Sequence, residues 1–297
     1  MSGTILITGA TGTNGKFLVE RLAAQEVEFQ VLTRSRESAE EFEACGIKAF
    51  IGDFDSPETL PPALAGVSKL FLLSVADPRQ VELQGNLIEA AQAAGVRHIV
   101  KLSAAGASPT SRTPIKRWHY ETEQQIIRSG IPYTFLRPFG FMQNTLNWKR
   151  RIREQGFFYM PVGDAVVSQV DARDIAAVAA AVLTSDGHGH EGQTYEVTGP
   201  VALSYDEVAQ HLSAALNKEV RCVRVSFEEA CKHMIDSGME KWLAEAVTQT
   251  YRFLSEGGAT RSTDVVARVT GNEAIPFSQF AKDYAGSFGA VSAASAA

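Results

Sequence analysis

The sequence has no excess of basic residues. Its 28 Lys and Arg residues are outnumbered by 34 Asp and Glu residues, which gives a formal net charge of -6. Proteins that bind nucleic acid usually concentrate positive charge in a patch or stripe that neutralises phosphates, and no such stripe interrupts this acidic background. We therefore expect no nucleic-acid partner.

Long apolar segments are also missing. The longest apolar run, residues 175–183, is alanine-rich and well short of the ~20 residues that a membrane-spanning helix requires. The N-terminus lacks a positively charged region before its apolar stretch, and Gly9 interrupts that stretch. The sequence predicts neither a secretion signal nor a membrane anchor.

Cysteine is scarce, and no spacing indicates a metal site. Cys45, Cys222 and Cys231 form no C-x-x-C pair, so we expect free thiols in a reducing compartment, the cytoplasm. The segment 186–191, Asp-Gly-His-Gly-His-Glu, holds two histidines in a glycine-rich loop, but no second cluster completes a ligand set. A surface turn is the prediction, with no metal.

The pattern that is present is an alternation of short apolar strands with helices. With 45% hydrophobic and 21% charged residues, the chain has the composition of an ordinary globular protein. Helices are predicted after Gly15, from about residue 81 to Gly95, and over 114–129. The predicted strands are residues 4–8, 29–33, 49–51, 69–75, 98–102 and 133–137. Repeated alternation of this kind predicts an α/β fold, a Rossmann-type doubly wound parallel sheet.

The alternation weakens after Phe139, which suggests a second part. We predict that residues 1–155 form the main domain and that residues 166–200 return to its sheet. Residues 201–288 are predicted to form a smaller, mainly helical lid on the substrate side. Residues 289–297, rich in Gly, Ala and Ser, are predicted to be a disordered tail.

A glycine-rich turn follows the first strand directly. Its sequence, Gly9-Ala-Thr-Gly12-Thr-Asn-Gly15, stands where a Rossmann fold binds the pyrophosphate of a dinucleotide. Glycines permit the tight turn, and the free N–H groups of the following helix attract phosphate. The cofactor contacts predicted here are Gly9, Thr11, Gly12, Thr13, Asn14 and Gly15.

The residue after the second strand selects the cofactor. An acidic residue there would bind the ribose 2′-hydroxyl of NAD, whereas this chain has Arg34, which suits a 2′-phosphate. The sequence therefore predicts NADP(H), although Arg34 as a solvated surface charge is the alternative. Asp53 and Phe54, after the third strand, are predicted to contact the adenine, or else to be a turn aspartate and a core phenylalanine.

Further candidates follow from the fold, because ligands of such sheets bind beyond the carboxyl ends of the strands. Ser74, Val75, Ser103 and Pro138 stand at or just after strand ends and are predicted to contact the cofactor.

The chain resembles the NmrA-like branch of the atypical short-chain dehydrogenases/reductases over nearly its whole length. The resemblance rests on the turn just described and on five further motifs: Leu32-Thr-Arg34, Gly52-Asp-Phe54, Ala93-Ala-Gly-Val-Arg-His98, Tyr133-Thr-Phe-Leu-Arg-Pro138 and Val170-Asp-Ala-Arg-Asp174. Within the branch it is most similar to triphenylmethane reductases, NADPH quinone reductases and azoreductases. This implies an NADPH-dependent reductase that transfers hydride to an electrophilic aromatic or conjugated small molecule. The branch also contains redox sensors that bind the cofactor without turnover, and this alternative stays open, as does a homo-oligomeric state.

The chain departs from the superfamily at its catalytic pair. A tyrosine and a lysine four residues apart normally deliver a proton to a carbonyl, but no tyrosine here has lysine at that spacing. On the helix in question stand His119 and Glu123, one turn apart. His119 is predicted to be the catalytic residue, as a nicotinamide contact or proton donor oriented by Glu123, with a surface ion pair as the alternative.

The substrate wall is predicted from aromatic and methionine residues just beyond the sixth strand. Phe139, Phe141, Met142 and Trp148 would suit a planar apolar substrate. Core packing of these side chains is an equally open alternative.

Overall fold

The fold is described from a computed structural model, which covers residues 3–185 and 189–289. Residues 290–297 of the predicted tail and residues 186–188 of the predicted turn 186–191 lie outside the described residues, whereas 189–191 form a turn. Within the described residues, no helix is long and apolar enough to cross a membrane, and no group of three or more His, Cys, Asp or Glu residues could hold a metal ion.

The main sheet has seven strands, and all of its neighbouring strands run parallel. Their spatial order is β3-β2-β1-β4-β5-β6-β9, which confirms the predicted doubly wound sheet. The order reverses between β1 and β4, and this reversal opens the crevice in which such sheets bind ligands. The strands of the whole chain are β1 Thr4–Thr8, β2 Phe29–Thr33, β3 Lys48–Ile51, β4 Val67–Leu72, β5 His98–Leu102, β6 Tyr133–Pro138, β7 Phe157–Met160, β8 Val166–Val167, β9 Gln193–Val197, β10 Leu203–Ser204 and β11 Arg221–Arg224.

Twelve α-helices occur among the described residues, together with three short 3-10 helices, Pro57–Thr59, Met142–Trp148 and Ala285–Phe288. The α-helices are α1 Thr13–Ala24, α2 Arg36–Ala44, α3 Pro61–Leu64, α4 Gln80–Ala93, α5 Pro114–Ser129, α6 Lys149–Gln155, α7 Ala172–Thr184, α8 Tyr205–Leu216, α9 Phe227–Asp236, α10 Lys241–Ser255, α11 Val265–Thr270 and α12 Phe277–Asp283.

The chain divides into two compact units whose boundaries differ from the predicted domains. The first unit comprises residues 1–138, 172–197 and 265–272, and the second comprises 139–171, 198–264 and 273–297. Residues 139–155, predicted to be part of the main domain, group with the second unit. Ile152 of α6 is fully buried in the same core cluster as Phe158 and Leu212, so apolar packing draws this segment into the second unit. Conversely, α11 packs against α7 of the first unit.

The core of the first unit explains why its sheet positions a site. Strands β4 and β5 are buried along almost their entire length, as expected for parallel strands covered on both faces. On one face, Leu70, Ile99 and Phe135 pack against Leu87 of α4 and Ile126 of α5. This packing fixes the carboxyl ends of β4, β5 and β6, from which the candidate site residues project.

The second unit has its own core and two small sheets. Strand β7 pairs in parallel with β11, and β8 pairs antiparallel with β10. Helix α8 begins with a complete capping box, in which Ser204 accepts from the Glu207 N–H and the Glu207 carboxylate accepts from the Ser204 N–H. This unit thus contains two small sheets in addition to the helices that the sequence predicts for it.

Candidate cofactor and reaction site

The glycine-rich turn adopts a conformation that only small residues permit. Gly9 has a φ of +65°, and the Gly12 N–H donates to its carbonyl at 3.0 Å. A Cβ on Gly15 would lie 2.1 Å from the Gly9 carbonyl oxygen and 2.7 Å from the Ala10 Cα. Because both neighbours are backbone atoms, the turn excludes any side chain at Gly15.

The start of α1 is open toward an anion. Gly12 stands at the N-cap position, no side chain caps the helix, and its first turn contains no acidic residue. Thr11 and Thr13 are exposed beside it, whereas Asn14 is buried and its Oδ1 has no hydrogen-bond partner among the described residues. Free N–H groups at the positive end of a helix dipole form an anion-binding site.

Arg34 follows β2 directly, and its side chain is exposed. The structure gives it no ion pair with any residue that it describes. Ser35, the next residue, caps α2 by accepting from the Ser38 N–H at 3.0 Å, so the backbone around Arg34 is fixed by local hydrogen bonding. An unpaired guanidinium held at this strand end is available to a phosphate group.

Asp53 and Phe54 have the local contacts of a turn aspartate and a core phenylalanine, and both keep part of the side chain exposed. The Asp53 Oδ1 accepts from the Asp55 N–H at 3.1 Å, which is ordinary turn geometry. The Phe54 ring packs against the core of the first unit but is only partly buried. Asn86 of α4 donates to the Phe54 carbonyl at 2.8 Å and fixes this loop to the helix.

Ser74 and Val75 follow β4, next to the point where the strand order reverses. Val75 is 65% exposed, the highest value among the large hydrophobic residues that the structure describes. The Ser74 hydroxyl is partly exposed, and it donates to the Val75 carbonyl at 3.1 Å. This strand end therefore offers an apolar side chain and a hydroxyl group to a ligand in the crevice.

Ser103 and Pro138 also stand at strand ends, but their side chains are buried. Ser103 is 4% exposed, and its hydroxyl donates to the Glu123 Oε1 at 2.5 Å. The Pro138 carbonyl accepts from the Ala105 N–H at 3.0 Å. The Ser103 hydroxyl is engaged inside the fold by Glu123, and its contact with the cofactor stays a prediction.

A buried network that the sequence analysis missed surrounds Glu123. This carboxylate is 1% exposed and accepts from Ser103 and from the Nε of Arg137 at 2.9 Å. A second hydrogen bond joins the Arg137 Nη2 to the Glu123 Oε2, so the ion pair is bidentate. Glu123 in turn raises the pKa of Arg137 through this hydrogen bond.

Lys101 lies in the same layer, near the carboxyl end of β5, and is completely buried. Its Nζ donates to the Gln84 Oε1 at 2.6 Å. Burial lowers the pKa of Lys101 to about 7, and the negative charge of Glu123 opposes this shift. A lysine inside a strand otherwise predicted as buried was the sequence signal for this network, because a buried charge needs partners.

His119 has different neighbours from those expected. Glu123 is engaged by Ser103 and Arg137, and the His119 Nδ1 faces the Gln80 Nε2 at 3.5 Å, a long contact. Burial and the positive charges of Lys101 and Arg137 hold the pKa of His119 well below its usual range. The imidazole is therefore neutral at pH 7. If the Gln80 amide donates to Nδ1, the proton of the neutral ring is on Nε2.

The four residues predicted to form a substrate wall lie in the second unit. Met142 is 2% exposed and belongs to its core cluster, which is the core-packing alternative stated above. Trp148 stacks on Phe158 at 4.4 Å between ring centroids and is partly buried, as are Phe139 and Phe141. Phe141 forms an isolated bridge with Val170.

Residues 1–280 match the model of the NmrA-like family. The chain belongs to the NmrA-like family.

Three proteins similar to this NmrA-like chain are named as reductases or oxidoreductases. An NAD(P)H azoreductase of Xenophilus azovorans is 44% identical over 286 residues, covering 96% of this chain and 99% of the relative. A triphenylmethane reductase of Citrobacter sp., solved in complex with NADP(H), superposes with a TM-score of 0.83 at 32% identity, covering 94% and 99% of the two chains. An NADPH-dependent quinone oxidoreductase of Escherichia coli, solved with NADPH, superposes with a TM-score of 0.86 at 29% identity and the same coverage.

The site of this NmrA-like chain fits NADP(H) on its own residues. The absence of a side chain at Gly15 lets the start of α1 pack directly against the Gly9 carbonyl and Ala10, and the uncapped start of α1 offers N–H donors to a pyrophosphate. Arg34 offers a guanidinium without an ion-pair partner among the described residues. A 2′-phosphate needs such a cation, whereas the 2′-hydroxyl of NAD is normally bound by a carboxylate.

Proposed function

We propose that this chain is an NADPH-dependent reductase that transfers hydride to an electrophilic aromatic or conjugated acceptor of the quinone, azo or triarylmethane type. The observation that carries the cofactor choice is Arg34, which is exposed and unpaired beside the open start of α1. The three relatives support the acceptor class, since they are named as an azoreductase, a triphenylmethane reductase and a quinone oxidoreductase. The free thiols of Cys45, Cys222 and Cys231 support a reducing compartment, the cytoplasm, as its location.

The chain's own residues suit acceptors that do not need a strong acid. The bound nicotinamide supplies the hydride, and such acceptors are already electrophilic, so the protein's contribution is proximity and orientation. Thr11, Thr13, Asn14 and the N–H groups of α1 hold the pyrophosphate. Val75 offers an apolar surface at the switch point, where the nicotinamide half of the cofactor begins.

His119 acts in this proposal as a hydrogen-bond donor. Because its pKa is held well below the usual range, it does not carry the second proton that a general acid would deliver at neutral pH. The neutral ring keeps one N–H group, which can instead donate to a nicotinamide or acceptor atom. Of the two roles predicted from the sequence, we therefore favour contact over proton donation, with solvent supplying the proton.

Turnover with a panel of acceptors tests the function directly. The protein is incubated with NADPH and with quinones, azo dyes and triarylmethane dyes in turn, and absorbance at the nicotinamide band is followed. We expect oxidation of NADPH with at least one class. Tight binding of NADPH without turnover of any acceptor would instead make the chain a redox sensor.

Arg34→Ala should abolish the preference for NADPH over NADH. Removing a charge-assisted hydrogen bond to phosphate costs about 1.5–3 kcal/mol, or about 10- to 100-fold in Kd. The Kd for NADH should hardly change, because that cofactor lacks the 2′-phosphate. Titration of both cofactors measures the ratio, with Arg36→Ala, a neighbouring exposed arginine, as the matched control. An unchanged ratio in Arg34→Ala would remove the basis for choosing NADPH.

His119→Phe should lower kcat about tenfold, by the loss of one hydrogen-bond donor. His119→Asn, which keeps a donor, should recover part of this loss. The wild-type profile of kcat against pH should show no inflection near 6.5, because the pKa of His119 is held well below that value. An inflection there that disappears in His119→Phe would instead indicate a protonated histidine acting as acid.

A further inference from the structure

A chain of three hydrogen-bonding side chains leads from the buried interior of the first unit to the crevice. The Lys101 Nζ donates to the Gln84 Oε1 at 2.6 Å, and the Gln84 Nε2 donates to the Ser74 Oγ at 2.7 Å. Lys101 is fully buried and Gln84 is 1% exposed, whereas Ser74 is partly exposed after β4. This series of hydrogen bonds therefore connects a buried cation with a surface hydroxyl at the sheet edge where the cofactor is predicted to bind.

The direction of this chain follows from the donor and acceptor capacity of each group. An ammonium has three donors and no acceptor, so protonated Lys101 must face the amide oxygen of Gln84. The amide nitrogen, which can only donate, is then directed to Ser74. The Ser74 oxygen accepts from it, and the proton of Ser74 is left to point away from Gln84. In the structure this proton goes to the Val75 carbonyl, on the exposed side.

We propose that Lys101 and Gln84 are positioning residues that fix the Ser74 hydroxyl as an outward hydrogen-bond donor to an acceptor atom of the nicotinamide nucleotide. The inference rests on the proposed function, because it needs the cofactor at the carboxyl end of β4. It gives a reason for a buried lysine between hydrophobic layers, where its charge is costly to desolvate. Neither Lys101 nor Gln84 touches the cofactor in this account; both act through Ser74.

Gln84→Glu tests the direction of the chain without removing it. The carboxylate is nearly isosteric with the amide and accepts from Lys101, so it gives the buried cation a counter-ion and should preserve folding. Its second oxygen can only accept, so the Ser74 proton turns inward. At pH 6, where Lys101 with its pKa of about 7 is mainly an ammonium, we expect NADPH to bind about five- to tenfold more weakly, the value of one hydrogen bond.

Two further variants separate this effect from the added negative charge. Gln84→Met leaves the Ser74 hydroxyl free to rotate and should weaken NADPH binding less than Gln84→Glu. Ser74→Ala should weaken NADPH binding as much as Gln84→Glu does. The double variant, Ser74→Ala with Gln84→Glu, should bind NADPH no more weakly than Ser74→Ala alone. A simple charge effect would persist in the Ser74→Ala background, and it would then add to the loss caused by Ser74→Ala.

The measurements are NADPH titration by fluorescence and thermal unfolding of each variant at pH 6. The proposal is overturned if Gln84→Glu has an unfolding temperature no lower than that of wild type and binds NADPH as tightly as wild type. It is also overturned if the loss of NADPH affinity in Gln84→Glu adds fully to the loss in Ser74→Ala. Failure of the proposed function has a different signature: none of the acceptors would then support oxidation of NADPH by the wild-type protein.

Discussion

Replacement of Gly15 by alanine should weaken NADPH binding by at least about 100-fold, or ~2.7 kcal/mol. The added Cβ would lie 2.1 Å from the Gly9 carbonyl oxygen, so the backbone of the turn must move away from the start of α1. That movement displaces the N–H groups that hold the pyrophosphate. Equilibrium titration with NADPH measures the loss, and circular dichroism checks that the variant is folded.

Two other glycines provide matched controls for this prediction. A Cβ on Gly12 would lie 3.3 Å from the Gly9 oxygen, a tight contact that a small shift relieves, so Gly12→Ala should have an intermediate effect. A Cβ on Gly286 meets no atom within 4 Å, so Gly286→Ala should bind NADPH like wild type. Binding by Gly15→Ala within threefold of Gly286→Ala would show that the turn does not contact the cofactor.

The sequence predicted the first unit well because its signals are local. Pro114 and Gly130 mark the two ends of α5 correctly, with Pro114 in the first turn and Gly130 in the left-handed conformation at φ +74°. Short β-branched runs identified the buried parallel strands in order. The glycine turn and Arg34 were visible because each depends on a few adjacent residues at a strand end.

The second unit could not be predicted in the same detail because its pairings are non-local. Strand β7 pairs with β11, more than sixty residues later, and both are only four residues long. Such short segments carry no recognisable period. Residues 227–254 form two helices, α9 and α10, which are separated near Gly238, a residue with a φ of +93°.

The sequence indicates which residues stand at the strand ends, but not which way their side chains turn. Ser74 and Ser103 were both expected at strand ends, yet only Ser74 keeps a partly exposed side chain. Which way a side chain turns depends on partners from α4 and α5, such as Gln84 and Glu123, and these have no fixed sequence spacing from the strands. The pairing of Glu123 with Arg137 rather than with His119 likewise depends on a partner that has no fixed sequence spacing from it.

Glu123→Gln should destabilise the protein by about 3 kcal/mol, because it leaves the charge of Arg137 without its buried partner. Glu123 is 1% exposed and receives hydrogen bonds from Arg137 and Ser103, so the neutral amide loses an ion pair and cannot satisfy every donor. Glu123→Gln also removes the negative charge that favours the protonated form of Lys101, so the pKa of Lys101 should fall below its value of about 7. Thermal or urea unfolding measures the change.

Glu154→Gln is the matched control, since Glu154 pairs with Arg150 on the surface, where the two side chains are 45% and 82% exposed. Solvent screens such a pair, and its loss should change stability by less than about 0.5 kcal/mol. The contrast between two glutamates that both pair with arginine isolates the effect of burial. If Glu123→Gln unfolded at the same urea concentration as Glu154→Gln, the buried network would not stabilise the fold. The positions of Ser103 and Lys101 would then have to be maintained by the hydrophobic packing of β5 alone.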